Sequence, residues 1–258
     1  MSPPEGESGP KPDGRLKAVF FDVRGTLWDY RGCARQVMEI ILPKFTPPLP
    51  EEDVSEVVKR YNAVFFDLPG PEHIRGRRPF SRRRRFEALL ESYEVKKRGL
   101  AQKMTHTYEA TRRLVMRQFL RAGTRRMLIE LHRLGLGRGV IMNGAPAEQR
   151  HLVQSLGLAS HLDHVILAQI EGYSKPDVRL FRRALQVADV RPEQMLFVGD
   201  SPLTDLLGAA RAGVQVAWMR TGCRRMPRGW PEPHHTVSRL GDVLDLARRL
   251  QTGSASSS

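Results

Sequence analysis

The sequence predicts a doubly wound α/β fold: a parallel sheet covered by helices on both faces and interrupted by an all-helical insert. Three observations carry this. Ala18-Val19-Phe20-Phe21 is a continuous apolar, β-prone run that ends on Asp22 and turns at Gly25-Thr26, the pattern of a strand buried on both faces. From residue 123 onward, short apolar runs alternate with helical segments, which implies parallel strands joined by crossovers. Between them, residues 32–121 show helical spacing alone.

The first strand is followed by a change of period. A short amphipathic helix is expected over 33–42, stopped near Pro43, and the three prolines within 45–50 demand a loop. Helical spacing returns over 51–66 through Val54, Val57, Val58, Tyr61, Val64 and Phe65. Residues 69–79 break it. Ser81 caps a helix reaching Tyr93, and another is expected over 100–120. Beyond Gly123 the expectation is a helix over 124–134 capped by Thr124, a strand over 139–142 ending at Asn143-Gly144, and a helix over 146–156. A strand over 164–168 then leads into a loop over 171–175, and Pro176 opens the next helix, where its missing N–H costs nothing. A strand over 195–198 ends at Gly199-Asp200-Ser201. A helix over 202–212, a strand over 214–219 and a closing helix over 239–250 complete the chain. No internal repeat is visible.

The 258 residues are 40% hydrophobic, enough for one large α/β domain or a core with a smaller unit. The domain division read from the pattern is an α/β core over 15–31 and 122–251, with a helical unit over 32–121. Residues 1–14, rich in Pro, Gly, Ser and Glu, are expected to be disordered, and 252–258 to form a flexible tail. No apolar run approaches a membrane span and no charged-then-apolar leader opens the chain, so a soluble, cytoplasmic protein is expected. Cys33 and Cys223 are too few for a disulfide or zinc framework. Oligomeric state has no signature here.

The formal charge is +14, and eight of the 42 basic residues are lysines, which leaves 42 − 8 = 34 arginines. A basic surface concentrates anions, phosphorylated substrates and nucleic acid among them. A compositional bias towards Arg accounts for the same count without function. The Arg82–Arg85 run reads as a solvated helix start before it reads as a phosphate patch. It lacks interleaved aromatics, which argues against nucleic acid as the main partner. The basic surface is the one route left to that partner.

Four strands end in polar residues: Asp22, Asn143, the loop bearing Lys175, and Asp200 with Asp205 one helical turn later. Such residues sit where open α/β sheets put their ligands. Core packing alone does not account for four in succession. The set resembles the haloacid dehalogenase-like hydrolase superfamily, most of whose members are phosphatases, over residues 17–250. The matching motifs are Asp22-Val23-Arg24-Gly25-Thr26, Met142-Asn143, Lys175-Pro176-Asp177 with Phe181, and Gly199-Asp200-Ser201 with Asp205.

The resemblance implies a Rossmann-like core, with the helical insert in the place of that family's cap. It implies Mg²⁺ as cofactor and a small phosphorylated or other anionic substrate. Asp22 is then the nucleophile that forms an aspartyl-phosphate. Asp22, Asp200, the main-chain carbonyl of Arg24 and Asp205 (directly or through water) are the metal ligands. Lys175 holds the nucleophile and the phosphate as a point charge. Thr26, Asn143 and the backbone near Gly144 complete the phosphate site. Helix capping is the alternative role of Asp205.

Two positions depart from the phosphatase pattern. Arg24 stands where the family places the aspartate that protonates the leaving alcohol, and a guanidinium exchanges no proton at neutral pH. Met142 replaces a hydroxyl donor. Three readings follow: a phosphatase with another proton source, such as Asp29; a catalytically impaired protein that binds a phosphorylated ligand or partner; or a hydrolase of the dehalogenase or phosphonatase type, against which the acidic fourth motif argues. His234-His235 reads as a strand start or loop rather than a metal pair, since adjacent residues of an extended segment face opposite ways. Trp28 and Tyr30 read as packing residues or as the lining of a site entrance, and Cys33 as a core residue.

Overall fold

Six strands form one sheet in the computed structural model, which describes residues 14–45, 49, 53–66, 81–221, 226 and 232–252. They are β1 (Ala18–Phe21), β2 (Gly137–Met142), β3 (His164–Leu167), β4 (Met195–Gly199), β5 (Gln215–Met219) and β6 (His235–Val237). Every pairing is parallel and the order is β3-β2-β1-β4-β5-β6. The first strand is thus central, and the chain winds outward to one edge and then, from β4, to the other. That reversal opens a crevice at the carboxyl ends of β1 and β4. The register lays Phe21 beside Val198, so the residues just past each strand become neighbours.

The chain divides into two units, one of residues 1–28 with 121–258, the other Asp29–Leu120. The second is entirely helical in its described residues: α1 (Tyr30–Ile41), α2 (Val54–Phe66), α3 (Arg82–Ser92) and α4 (Leu100–Val115), with 3₁₀ turns at Leu42–Phe45 and Met116–Phe119. Asp29 caps α1 by accepting from the Gly32 amide at 3.1 Å, so that carboxylate is committed to a helix start. Ser81 caps α3 through the Arg84 amide. The long helix expected over 100–120 tightens at Met116, where the i,i+3 pattern takes over. Buried Cys33, Val37, Met104 and Tyr108 lie among this unit's apolar residues.

In the sheet-bearing unit the helices are α5 (Thr124–Arg133), α6 (Pro146–Ser155), α7 (Ala168–Glu171), α8 (Val178–Ala188), α9 (Leu207–Arg211) and α10 (Leu240–Thr252). One face of the sheet is filled by Phe20, Ile141, Phe181, Phe197 and Trp218, with Phe181 edge-on to Phe197 at 5.1 Å. Among the described residues no helix is long and apolar enough to cross a membrane.

Several local expectations are corrected. Thr124 does not cap α5; Gly123 does, at φ +83°, and the Thr124 hydroxyl donates to the Arg121 carbonyl instead. Pro176 does not open α8: Asp177 is the cap, accepting from the Arg179 amide, so the helix begins at Val178. The loop expected over 171–175 is shortened by α7, which runs to Glu171. The helix over 202–212 opens with a wide π turn, Pro202–Leu206. His235 begins β6, while His234 accepts from the Val216 amide through Nδ1. The breaks at 46–48 and 69–79, residues 1–13, the tail from 253 and Cys223 lie outside the described residues.

Candidate active site

Asp22 follows the last residue of β1, and its amide donates to the Val198 carbonyl at 2.9 Å, extending the ladder by one bond. The chain then folds back sharply. Leu27 and Trp28 amides both donate to the Val23 carbonyl, and Gly25 donates to the carbonyl of Trp28. Gly25 adopts φ +94°, and a Cβ there would lie 2.4 Å from Oδ2 of Asp200. Only glycine lets this turn press against that carboxylate. Arg121 holds the same turn from outside, donating through Nη2 to the Gly25 carbonyl at 3.0 Å and through its amide to the carbonyl of Leu27.

Lys175 is the centre of the polar cluster. Its ammonium, 2% exposed, donates to Asp22 Oδ1 at 2.6 Å and to Asp205 Oδ1 at 2.7 Å. Asn143 fixes the lysine's backbone from both sides, accepting from its amide at 2.9 Å and donating to its carbonyl at 3.1 Å. Asn143 therefore positions Lys175. Asp205 Oδ2 accepts at 3.1 Å from the amide of Ser201, the residue whose hydroxyl caps this helical turn, so this one side chain both braces the cap and partners the lysine. The indole of Trp218, paired with Gly199 across β4 and β5, donates to the Asp200 carbonyl at 3.2 Å. Thr26 is fully buried, and its hydroxyl has no hydrogen-bond partner among the described residues.

Burial pushes the Asp22 carboxyl up to about 6; Lys175 pulls it down, Asp205 adds to the rise, and the Arg24 charge is a smaller downward influence. For Lys175, burial opposes the charge, but the Asp205 and Asp22 carboxylates outweigh it and raise the ammonium above its usual range. The lysine thus stays a cation throughout the neutral range. Carboxylate oxygens of Asp22, Asp200 and Asp205 all lie within 4.8 Å of one another. An all-oxygen, acidic donor set of this span suits a hard divalent cation.

A family model described as haloacid dehalogenase-like hydrolase matches residues 16–213. The chain belongs to this hydrolase family. Glyceraldehyde 3-phosphate phosphatase of Pyrococcus furiosus is 27% identical to it over 217 residues, 81% of this chain and 82% of the relative. Phosphoserine phosphatase of Thermus thermophilus is 38% identical over 120 residues, 46% of each chain. Among solved structures, the HAD hydrolase YfnB of Bacillus subtilis bound to magnesium shares the fold at TM-score 0.74 and 17% identity, covering 90% of this chain and 99% of that one. L-2-haloacid dehalogenase of Xanthobacter autotrophicus shares it at TM-score 0.66 and 21% identity, covering 93% and 100%.

The motif residues Asp22, Lys175, Asp200 and Asp205 thus converge at the strand ends of this hydrolase fold, with Asn143 beside them. Sequence reading did not find Arg121 or Trp218. Arg121 lies 96 residues from its carbonyl partner, and an isolated Arg after a helical stretch carries no local signal. Trp218 could have been found: it lies near the end of a strand that flanks the Gly-Asp-Ser turn.

Proposed function

We propose that this hydrolase is a magnesium-dependent phosphatase that acts on a small phosphorylated metabolite through an aspartyl-phosphate on Asp22. The observation that carries the reading is the Lys175 ammonium bridging Asp22 and Asp205 beside a third carboxylate, Asp200. That combination sets a nucleophile, a fixed cation and a hard-ion donor set in one crevice. The relatives named as phosphatases support it. Residues suited to hold the ion are Asp22, Asp200 and Asp205, with the main-chain carbonyl of Arg24 as a further oxygen. Bound there, Mg²⁺ would screen the phosphoryl charge and orient the group.

The chain's own residues do the rest. With Oδ1 held by Lys175, Asp22 attacks phosphorus through Oδ2, forming the O–P bond as the bond to the leaving oxygen breaks. Lys175 keeps the carboxylate in place and offsets the anionic charge that accumulates as the phosphate arrives. Water then attacks phosphorus and returns Asp22. Thr26 offers a buried hydroxyl donor. Arg24 cannot supply the leaving group's proton, and general acid–base help is worth about 10² to 10⁴ in rate. Acyl and aryl phosphates should therefore turn over faster than alkyl phosphates.

Arg24 also carries a second reading, a phosphate-binding protein without turnover, because a fixed cation influences Asp22 where an acid would otherwise stand. One experiment separates the two. Hydrolysis of p-nitrophenyl phosphate and acetyl phosphate is followed with Mg²⁺ and with EDTA in wild type, Asp22→Asn and Arg24→Asp. Mg²⁺-dependent turnover in wild type that Asp22→Asn abolishes is the expected result. Turnover only in Arg24→Asp favours the binding protein. Silence from all three sinks the phosphatase reading.

A further inference from the structure

The turn that follows the nucleophile pivots on a glycine. Gly25 stands at φ +94°, and a glycine is conformationally soft, because it has no Cβ to restrict its dihedrals. Two hydrogen bonds supply the missing restraint. On its amide side Gly25 donates to the Trp28 carbonyl at 2.8 Å. On its carbonyl side it accepts from Arg121 Nη2 at 3.0 Å. A peptide group is planar and trans, so each bond fixes a whole plane. The first turns the Arg24 carbonyl away from that of Trp28, and the second turns the Thr26 amide away from Arg121. With both planes held, φ and ψ of Gly25 are settled together.

Arg121 is itself held in place. Its amide donates to the Leu27 carbonyl at 2.9 Å, and its carbonyl accepts the Thr124 hydroxyl at 2.7 Å. All of these residues belong to the sheet-bearing unit. Arg121 Nε is buried and has no hydrogen-bond partner among the described residues, which is costly. A smaller neutral donor would satisfy one carbonyl without that orphan. What the guanidinium adds is strength, since a charge-assisted bond is about twice as strong as a neutral one. Gly25 passes the restraint on. It meets Arg121 through its carbonyl and Asp200 through its Cα, where a Cβ would lie 2.4 Å from Oδ2. One glycine thus stands between the arginine and a carboxylate of the acidic trio.

We propose that Arg121 is a positioning residue for the divalent-cation site. By fixing the Gly25–Thr26 peptide it sets where Gly25 meets Asp200 and which way the Arg24 carbonyl faces, and so keeps two candidate ligand oxygens in register. It acts through Gly25 and not by contact with the ion. Without Arg121 one of the two planes is released, and an arriving ion must order the turn out of its own binding free energy. The inference rests on the cation reading of Asp22, Asp200 and Asp205, but it needs neither the aspartyl-phosphate nor any particular substrate.

The test is isothermal titration of the full chain with MgCl2 in metal-free buffer. Arg121→Met, close in length but without a donor, should weaken Mg²⁺ binding by about 10- to 100-fold, the usual loss when a residue supporting metal ligands is removed. Arg121→Lys keeps a cationic donor on a flexible stem and should fall between Arg121→Met and wild type. An arginine that only stabilised the fold would lower the metal-free melting temperature of Arg121→Met and leave its Kd for Mg²⁺ unchanged; that result overturns the proposal. Wild type gives a check free of folding defects. Binding couplings are reciprocal, so Mg²⁺ should slow hydrogen exchange of the Arg121 Nη protons, assigned by their loss in Arg121→Lys. Those of Arg138, held by Asp163, should keep their rate. Equal Arg121 exchange with and without Mg²⁺ also overturns the proposal. Arg121-dependent Mg²⁺ binding in a wild type without turnover upholds this inference and defeats the phosphatase reading, whereas a wild type that binds no Mg²⁺ overturns both.

Discussion

At Asp22 a single residue couples chemistry to stability. Its carboxyl is pushed by burial up to about 6 from an ordinary 3.8, with Lys175 opposing and Asp205 reinforcing. A group raised in the folded state binds its proton more tightly there than in the unfolded chain. Its contribution to stability is therefore greatest below pH 4 and declines as pH rises through about 6. Asp22→Asn, which cannot ionise, should be more heat-stable than wild type at pH 8 in metal-free buffer. The gap, several degrees, should close towards pH 4; an equal offset at both pH values would contradict the burial argument. Gly25 is the second sensitive residue. Gly25→Ala would need a positive φ and a Cβ 2.4 Å from Asp200 Oδ2. It should cost about 1 to 3 kcal/mol of stability and displace that carboxylate, measured by denaturant unfolding and by metal titration.

At the level of elements, the lysine loop depends on how α8 and α9 meet. Gly208 lets them close: a Cβ there would lie 2.3 Å from Phe181 Cε2 and 2.7 Å from the Pro176 carbonyl. Gly208→Ala should cost about 1 to 3 kcal/mol by overpacking. Because Pro176 follows Lys175, it should also lower kcat; an unchanged melting temperature would show that the helices shift freely. The strands were legible because a strand buried on both faces must be apolar throughout and turns polar only where it leaves the sheet, as β1 does at Asp22. The boundaries that moved were set by tertiary partners. Thr124 looked like a cap, but its hydroxyl found the Arg121 carbonyl. Pro176 looked like a helix start, but Asp177 had the acceptor for the Arg179 amide. The cluster at Lys175 was readable in its residue types, whereas Arg121 on Gly25 and the doubled role of Asp205 required coordinates. Sequence patterns carry periodicity and spacing, not long-range pairing.

For the molecule as a whole, Asp22, Asp200 and Asp205 are drawn together at one end of the sheet while the chain carries a net charge of +14. Three carboxylates lie within 4.8 Å of one another, and two of them, Asp22 and Asp205, share one buried ammonium. Like charges so close destabilise the fold unless a cation joins them. These groups come from distant parts of the chain, as the sequence separation of 153 between Asp22 and its partner Lys175 shows, and only folding brings them together. An ion binding them is therefore expected to bind the folded state far better than the unfolded chain. By linkage, Mg²⁺ at 100 times its Kd should stabilise the protein by about 2.7 kcal/mol. For a chain of this size that raises Tm by several degrees. The rise should be absent with EDTA and much reduced in Asp200→Asn, which removes a ligand outside the Lys175 bridge. Calorimetry with and without Mg²⁺ decides it. If Tm does not respond to Mg²⁺ in wild type, the acidic trio is satisfied by the protein's own cations, and the metal-dependent reading of the site falls with it.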